Sequence, residues 1–254
     1  MQLNYERQGD GEPIILIHGL FGDLDNLKSI SRSLTDRYAV VNLDVRNHGQ
    51  SPHCDSMSYT EMASDVIAIA EQEGFDSFHL LGHSMGGKIA MEIALRYPRR
   101  VRSLIVADIA PVAYDARHSS IIEALSEIDV KALKSRQHAD ELLAARIKTK
   151  GVRQFLLKNL RKDGDRWFWR FNLDALRTNY DTLIGAPTSD GQYTGPVLFI
   201  RGEKSDYVTQ EHTQAIANRF PLAKPVTIAD TGHWLHAEKP HEFNQLVSDF
   251  LEQY

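Results

Sequence analysis

The sequence has little cysteine and no long hydrophobic segment. Cys54 is the only cysteine among 254 residues, so no internal disulfide can form, which agrees with a reducing compartment. Its polar surroundings supply no flanking base, so we do not expect it to act as a nucleophile. No apolar run approaches the roughly 20 residues that cross a bilayer. The sequence therefore predicts a cytoplasmic protein that is not embedded in a membrane.

Signals for secretion, nucleic-acid binding and metal binding are also missing. Residues 1–7 lack the basic region and apolar stretch of a secretory signal. The net charge is −5 and no recognition motif is present, which argues against nucleic-acid binding. His236 and His241 lie near Glu238 and Glu242, but their spacing matches no zinc signature. We therefore predict no metal.

What the chain does contain is an alternation of apolar runs and helical patterns. Buried strands are expected at 13–17, 38–44, 78–81, 103–108, 196–200 and 225–228. The clearest helix covers 243–251, where apolar residues follow the i, i+3, i+4, i+7 spacing of a one-sided face. This order predicts an α/β fold, a mostly parallel sheet with helices on both faces. Ligands bind such sheets beyond the carboxyl ends of the strands.

The alternation stops between about residues 111 and 191. Helical spacing is found at 121–128, 139–147 and 152–160, and no strand is expected there. We interpret 112–190 as a helical cap, or lid, inserted into a core domain formed by 1–111 and 191–254. Because the insertion follows the carboxyl end of a strand, it is expected to cover the mouth of the site.

Two features of the predicted cap have alternative explanations. The aromatic residues Trp167, Trp169 and Phe171 either join the cap to the sheet domain or line an apolar acyl pocket. A basic segment at 146–170 has only two acidic residues, Asp163 and Asp165. It forms either a solvated helical face or an attractive surface for an anionic substrate such as a phosphate-bearing thioester. Its nine basic residues are Arg146, Lys148, Lys150, Arg153, Lys158, Arg161, Lys162, Arg166 and Arg170.

The strongest motif is GHSMG at 82–86, which lies between an apolar run and a helical pattern. A Gly/Ser-rich turn is the simpler explanation, but a strand before the motif and a helix after it are typical of a nucleophile elbow. A serine on that sharp turn is lifted clear of the sheet, where its hydroxyl can attack a carbonyl. Ser84 is therefore the predicted nucleophile.

A serine hydroxyl needs a base and donors for the developing oxyanion. His233 is the preferred base among eleven histidines, because it follows the last strand at the same sheet edge and comes after the serine in the chain. His83 is expected to pack beside the nucleophile instead. The N–H of Met85, at a helix N-terminus, is one expected donor. The second is the N–H of Leu20, with that of Phe21 as the reserve, and the Phe21 side chain is expected at the pocket mouth.

Five motifs in order resemble the α/β-hydrolase superfamily, and within it the small bacterial YbfF-type esterases. They are HGLFG at 18–22, DVRNHGQS at 44–51, GHSMGGK at 82–88, DIAP at 108–111 and GHWLHAEKP at 232–240. The resemblance implies an eight-stranded sheet, a helical cap, hydrolysis of carboxylic esters or thioesters, and no cofactor. Serine at 84 argues against those relatives that use an aspartate there.

The acid of the expected triad is open between two aspartates. In many α/β-hydrolases it stands three residues after the glycine that ends a late strand, but here Gly202 is followed at that distance by Ser205. Asp206 lies one residue further. Asp108 directly follows a buried strand, and some members carry their acid at that point. We favour Asp108, keep Asp206 as the reserve, and expect Ser205 to be an auxiliary partner of His233.

The sequence therefore predicts a serine esterase or thioesterase acting on a small molecule with a small or medium acyl group, as a monomer or small homo-oligomer. Two alternatives keep the same residues. One is hydrolysis of a carbon–carbon bond or cofactor-free perhydrolysis on the same triad. The other is a ligand receptor that retains the pocket with little turnover, although binding alone does not need a serine, a histidine and an acid together.

Overall fold

A computed structural model describes all 254 residues, and its largest element is a seven-stranded sheet. The strands of this sheet are Tyr5–Gln8 (β1), Glu12–Ile17 (β2), Tyr38–Leu43 (β3), Phe78–His83 (β4), Val101–Ala107 (β5), Val197–Gly202 (β8) and Ala223–Ile228 (β9). Their spatial order is β1-β3-β2-β4-β5-β8-β9. Only β1 runs antiparallel to its neighbour, so the predicted mostly parallel α/β sheet is confirmed.

The expected eighth strand is absent from the sheet. Residues 1–4, which precede the edge strand β1, do not form a strand of their own. Leu3 is buried, and the carbonyl of Asn4 accepts a hydrogen bond from the N–H of Asp44 at 2.9 Å. The N–H of Asn4 donates to the Ser51 hydroxyl at 2.8 Å. The polar groups ahead of β1 are thus bound to the loop after β3 rather than to another strand.

Helices cover both faces of the sheet. They are Lys28–Leu34 (α1), Tyr59–Gln72 (α2), Met85–Arg96 (α3), Thr213–Arg219 (α9), Leu235–Glu238 (α10) and Pro240–Leu251 (α11). In β2, Ile15 and Ile17 pack into the apolar cluster that contains α2 and α3. Ile14 and Leu16 pack into the cluster that contains α1 and α11. Successive residues of a strand point to opposite faces, so this continuous apolar run reflects burial on both sides.

The segment between β5 and β8 contains helices and one β-hairpin. Its helices are Ser119–Ser126 (α4), Arg136–Ala144 (α5), Lys150–Leu157 (α6), Leu173–Thr178 (α7) and Tyr180–Ile184 (α8). The expectation that this segment has no strand was wrong. Leu160–Asp163 (β6) pairs with Arg166–Trp169 (β7), and Gly164 in the turn between them has a φ of +55°. Trp167 and Trp169 are half-buried while Phe168 between them is exposed, the two-residue period of a strand.

None of the helices combines the length and the apolar character needed to cross a membrane.

Candidate active site

The turn between β4 and α3 holds Ser84 in a strained conformation. Its φ is +55° and its ψ is −120°, a backbone conformation that residues other than glycine rarely adopt. The flanking glycines allow close backbone contact. A Cβ on Gly82 would lie 2.1 Å from the carbonyl oxygen of Gly86, and a Cβ on Gly86 would lie 2.1 Å from that of Ile17. The sharp turn therefore requires glycine at both positions.

Ser84, His233 and Asp108 form a chain of hydrogen bonds at the carboxyl edge of the sheet. Ser84 Oγ lies 2.9 Å from His233 Nε2, and His233 Nδ1 lies 2.7 Å from Asp108 Oδ2. The serine follows β4, the aspartate follows β5, and the histidine lies in the loop after β9. Asp108 is fully buried, whereas the His233 side chain retains 19% exposure. The imidazole therefore faces an accessible space while its acid partner is shielded.

Asp108 is held by partners on both carboxylate oxygens. Oδ1 accepts a hydrogen bond from the N–H of Gly202 at 3.0 Å. Oδ2 accepts one from the hydroxyl of Ser205 in addition to its bond with His233. Ser205 and His233 thus share one carboxylate oxygen, and the auxiliary role expected for Ser205 stays a prediction. These bonds satisfy a buried charge that would otherwise be costly.

Asp206, the reserve acid, lies away from the imidazole. Its side chain is 78% exposed and forms an ion pair with Arg117 at 2.7 Å. The difference of one residue between Ser205 and Asp206 turns the first side chain inward and the second toward solvent. The structure thus brings Asp108 to His233 and leaves Asp206 at the surface.

Aromatic contacts fix the orientation of the His233 ring. The Tyr207 ring stacks on it, with 3.9 Å between centroids and an interplanar angle of 19°. The guanidinium of Arg117 lies 4.8 Å from the centroid of Tyr207. His83, which was expected to pack beside Ser84, also packs against His233 with 4.8 Å between ring centroids, and its Nε2 donates to the His233 carbonyl at 2.8 Å. Ring and backbone of His233 are therefore both restrained.

The N–H groups expected to bind an oxyanion differ in their availability. That of Leu20 makes no hydrogen bond within the protein. That of Phe21 donates to His48 Nε2 at 3.1 Å, so the reserve donor is already engaged. Met85 is the first residue of α3, where a helix N–H has no intrahelical acceptor. The role of His48 was missed in the sequence because nothing local links it to Phe21.

Two cavities meet at Ser84. The small cavity, of about 30 Å³, lies between the start of α3 and the end of α8, and its walls include Tyr59, Ile109 and Leu183. The large cavity, of about 620 Å³, extends between α6 and the loops after β2 and β9, and Phe21 and His233 line it. Ser84 lines both cavities.

Three of the predicted pocket residues line neither cavity. Trp167, Trp169 and Phe171 are absent from both walls. Trp169 stacks on Phe171 at 5.4 Å, and Phe171 packs edge-on against Phe21 at 5.5 Å. Of the two explanations for these aromatics, the structure favours the joining role for Trp169 and Phe171, because they connect the hairpin to the loop after β2. Only Phe21 lies at the cavity wall as expected.

Four of the nine basic residues in the segment 146–170 form ion pairs. Arg146 pairs with Glu127, Arg153 with Asp140, Lys162 with Asp165 and Arg170 with Asp23. Lys158 has no ion-pair partner and is the one basic residue of this segment that lines the large cavity. Ion pairs therefore account for four of the nine basic residues, and among the other five only Lys158 lines the large cavity.

Two buried charged residues on α3 bind the chain that returns to β8, and the sequence analysis missed both. Lys88 donates to the carbonyl of Ile184 at 2.9 Å, and burial lowers its pKa to about 7. Glu92 accepts hydrogen bonds from the N–H and hydroxyl groups of Thr188 and Ser189. Their spacing of four and eight residues from Ser84 places all three on one helix face, a signal that was present in the sequence.

Comparison with known proteins now identifies the family. A model of the Alpha/beta hydrolase family matches residues 14–246. The chain belongs to this family. It is 36% identical to "Esterase YbfF" of Escherichia coli (strain K12), over 97% of this chain and 95% of that protein. It is 37% identical to "sn-1-specific diacylglycerol lipase ABHD11" of Danio rerio, over 98% of this chain and 81% of that protein.

A solved structure is also similar over nearly the whole chain. It is described as "Marine microorganism esterase" and is 41% identical, with a TM-score of 0.95. The match covers 98% of this chain and 99% of that one. These relatives support the prediction, made from the motifs, of an ester-cleaving α/β-hydrolase of the carboxylesterase type.

The elbow glycines give a test of stability. We expect Gly86→Ala to lower the free energy of unfolding by about 3 kcal/mol or more, because its Cβ would overlap the Ile17 carbonyl. Gly151→Ala is the matched control, since a Cβ there meets no atom within 4 Å. It should be neutral or stabilise α6 by at most about 1 kcal/mol. Urea unfolding measures both, and equal stabilities would contradict the close contact.

Buried histidines predict a loss of stability in mild acid. Burial lowers the pKa of His48 to about 3 and those of His118 and His236 to about 4. In the unfolded chain these rings bind protons near pH 6.5. Between these values the unfolded state binds more protons than the folded one. These histidines therefore make the free energy of unfolding fall as the pH drops from about 6.5 to about 4.

A single substitution tests the contribution of one buried histidine, His236. His236→Asn should reduce the loss of unfolding free energy between about pH 7 and pH 5 by on the order of 1–2 kcal/mol. The exposed His241→Asn serves as the control. Urea unfolding at several pH values gives the comparison. Parallel curves for wild type and His236→Asn would show that this ring does not control the acid sensitivity.

Proposed function

We propose that the protein hydrolyses carboxylic esters or acyl thioesters through an acyl-enzyme on Ser84. The observation that carries this proposal is the unbroken chain of hydrogen bonds from Ser84 Oγ through His233 to Asp108. It lies at the edge of the sheet where α/β folds bind ligands. The esterase and lipase relatives support the same activity.

In the first step, Ser84 Oγ attacks the carbonyl carbon and its proton passes to His233 Nε2. Asp108 accepts a hydrogen bond from Nδ1, which holds the tautomer that leaves Nε2 free to accept. The carbonyl π bond becomes an oxyanion, for which the N–H groups of Leu20 and Met85 are the proposed donors. When the tetrahedral intermediate collapses, the bond to the alcohol or thiol breaks and Nε2 returns the proton to that group.

The second step repeats this chemistry with water. His233 Nε2 takes a proton from a water molecule, whose oxygen attacks the acyl carbon bonded to Ser84 Oγ. The new tetrahedral intermediate uses the same two N–H donors. Its collapse breaks the bond to Oγ, the serine regains its proton from Nε2, and the carboxylic acid leaves.

We assign residues 112–190 as the cap and 1–111 with 191–254 as the core. The contacts of Lys88 and Glu92 with residues 184–189 support a firmly attached exit from the cap. The wall that α6 contributes to the large cavity supports a role for the cap in substrate binding.

We also propose that the protein acts in the cytoplasm, which agrees with its single cysteine.

The alternative reactions use the same residues but lack a specific supporting contact. The hydrogen-bonded serine and histidine argue against a receptor, since mere binding needs neither. Carbon–carbon bond hydrolysis and perhydrolysis have no feature of these cavities in their favour, and the relatives are named as esterases and lipases. Ester hydrolysis is therefore the function that the arrangement supports best.

Removing the nucleophile is the first test. Ser84→Ala should lower kcat for 4-nitrophenyl acetate by on the order of 10³ or more, because the covalent route is lost. Circular dichroism and thermal unfolding should show a folded protein. Mass spectrometry after treatment with an organophosphate should locate the adduct on Ser84 in the wild type and find none in the variant. Wild-type turnover by the folded variant would overturn the proposal.

The two candidate acids can be ranked directly. We expect Asp108→Asn to lower kcat by on the order of 10² to 10⁴, because the amide cannot stabilise the imidazolium. The exposed Asp206→Asn should lower it by less than about tenfold, since it loses only a surface ion pair with Arg117. Both are assayed on one aryl ester with folded protein. The reverse ranking would transfer the role to Asp206.

Lys158 allows a test for anionic thioesters. Lys158→Glu should lower kcat/KM for acetyl-CoA about tenfold more than for neutral 4-nitrophenyl acetate, because its ammonium lines the large cavity. The difference should shrink at high salt. Lys150→Glu, an exposed residue that lines neither cavity, is the control. Equal effects of Lys158→Glu on both substrates would leave Lys158 without a role in charge recognition.

A further inference from the structure

The unequal cavities at Ser84 imply that the two halves of an ester are selected differently. The small cavity measures about 30 Å³ and the large cavity about 620 Å³. A carbonyl carbon bonded to Ser84 Oγ carries an oxyanion, an acyl substituent and a leaving group. With the oxyanion bound by N–H groups, the other two substituents must divide between the two cavities.

The position of His233 decides which substituent enters which cavity. Its Nε2 must deliver a proton to the leaving oxygen or sulfur, so the leaving group has to lie on the imidazole side. His233 lines the large cavity and not the small one. The leaving group therefore belongs in the large cavity. The acyl substituent then enters the small cavity. Met85 is one of the residues that line this cavity.

The walls of the small cavity are held in place from several directions. Tyr59 is fully buried, and its hydroxyl donates to the carbonyl of Leu183 at 2.6 Å. Lys88 donates to the carbonyl of Ile184 at 2.9 Å. Ile109 on the opposite side is 3% exposed and packs close to Gly87. Moving these walls apart would break buried hydrogen bonds and leave polar groups unsatisfied.

We propose that the protein takes esters of two- or three-carbon acyl groups with bulky alcohols or thiols. This inference rests on the proposed hydrolysis at Ser84. One water-sized sphere needs roughly 10–15 Å³ of such volume, so the small cavity of about 30 Å³ holds roughly two, which is room for one or two carbons beyond the carbonyl. The acyl chain occupies the small cavity, and the large cavity accepts leaving groups of widely different size.

Two series of esters test the wild-type protein. In 4-nitrophenyl esters from acetate to octanoate, kcat/KM should fall at least about tenfold between propionate and hexanoate, because longer chains overpack the small cavity. In phenyl, 2-naphthyl and 4-biphenylyl acetates, whose phenols are similarly acidic, kcat/KM should stay within about threefold or rise. A preference for hexanoate or longer, or a steep loss with the larger phenols, would overturn the inference.

A pair of variants locates the selection. Leu183→Ala should raise the ratio of hexanoate to acetate kcat/KM by about tenfold, since it lengthens the small cavity. Leu176→Ala removes the same side chain from the neighbouring buried site in α7, outside both cavities, and should leave the ratio unchanged. If Leu183→Ala is unfolded, Ile184→Ala, which lines the same cavity, replaces it. An unchanged ratio in the folded variant contradicts the assignment.

These outcomes separate the two proposals. If no ester in either series is hydrolysed in a Ser84-dependent way, the proposed function itself fails. If esters are hydrolysed but acyl length has no effect, ester hydrolysis stands and only the assignment of the cavities is wrong.

Discussion

The close approach of the β4–α3 turn to the end of β2 is the contact on which the site depends. The backbone at Gly86 leaves no space for a Cβ beside the Ile17 carbonyl. This contact places the start of α3, with the N–H of Met85, next to the loop that carries the N–H of Leu20. Ser84 lies between them at a φ of +55°. The contact that holds Ser84 in this strained backbone conformation thus also positions both proposed oxyanion donors.

The helix α3, which begins directly after Ser84, also fixes the segment that returns from the proposed cap. Lys88 and Glu92 follow Ser84 at intervals of four residues, so they project from the same side of α3. Lys88 binds a carbonyl at the end of α8, and Glu92 binds Thr188 and Ser189. Because the small cavity lies between α3 and α8, the bonds that hold this segment also set the size of the cavity.

The sequence predicted the fold class and the central residues because those signals are local or depend only on strand order. GHSMG identifies the turn, and the carboxyl ends of parallel strands meet at one edge, so Asp108 and His233 could be expected near Ser84. The missing eighth strand, the β6–β7 hairpin and the packing of Trp169 against Phe171 depend on contacts distant in the chain. The direction of the Ser205 side chain depends on its position in the turn after β8, where a shift of one residue reverses it. Composition and periodicity do not predict that position.

Of the three imidazoles packed together at the site, those of His83, His233 and His236, only that of His233 is hydrogen-bonded to a carboxylate. Burial lowers the pKa of His83 well below its usual value and that of His236 to about 4, so both neighbouring rings are neutral. His83 uses its Nε2 proton to bind the His233 carbonyl. Neutral neighbours do not repel an imidazolium, and the buried Asp108 carboxylate attracts it at 2.7 Å. In the proposed mechanism, the proton taken from Ser84 is thus held on His233 beside the Asp108 carboxylate until it passes to the leaving group.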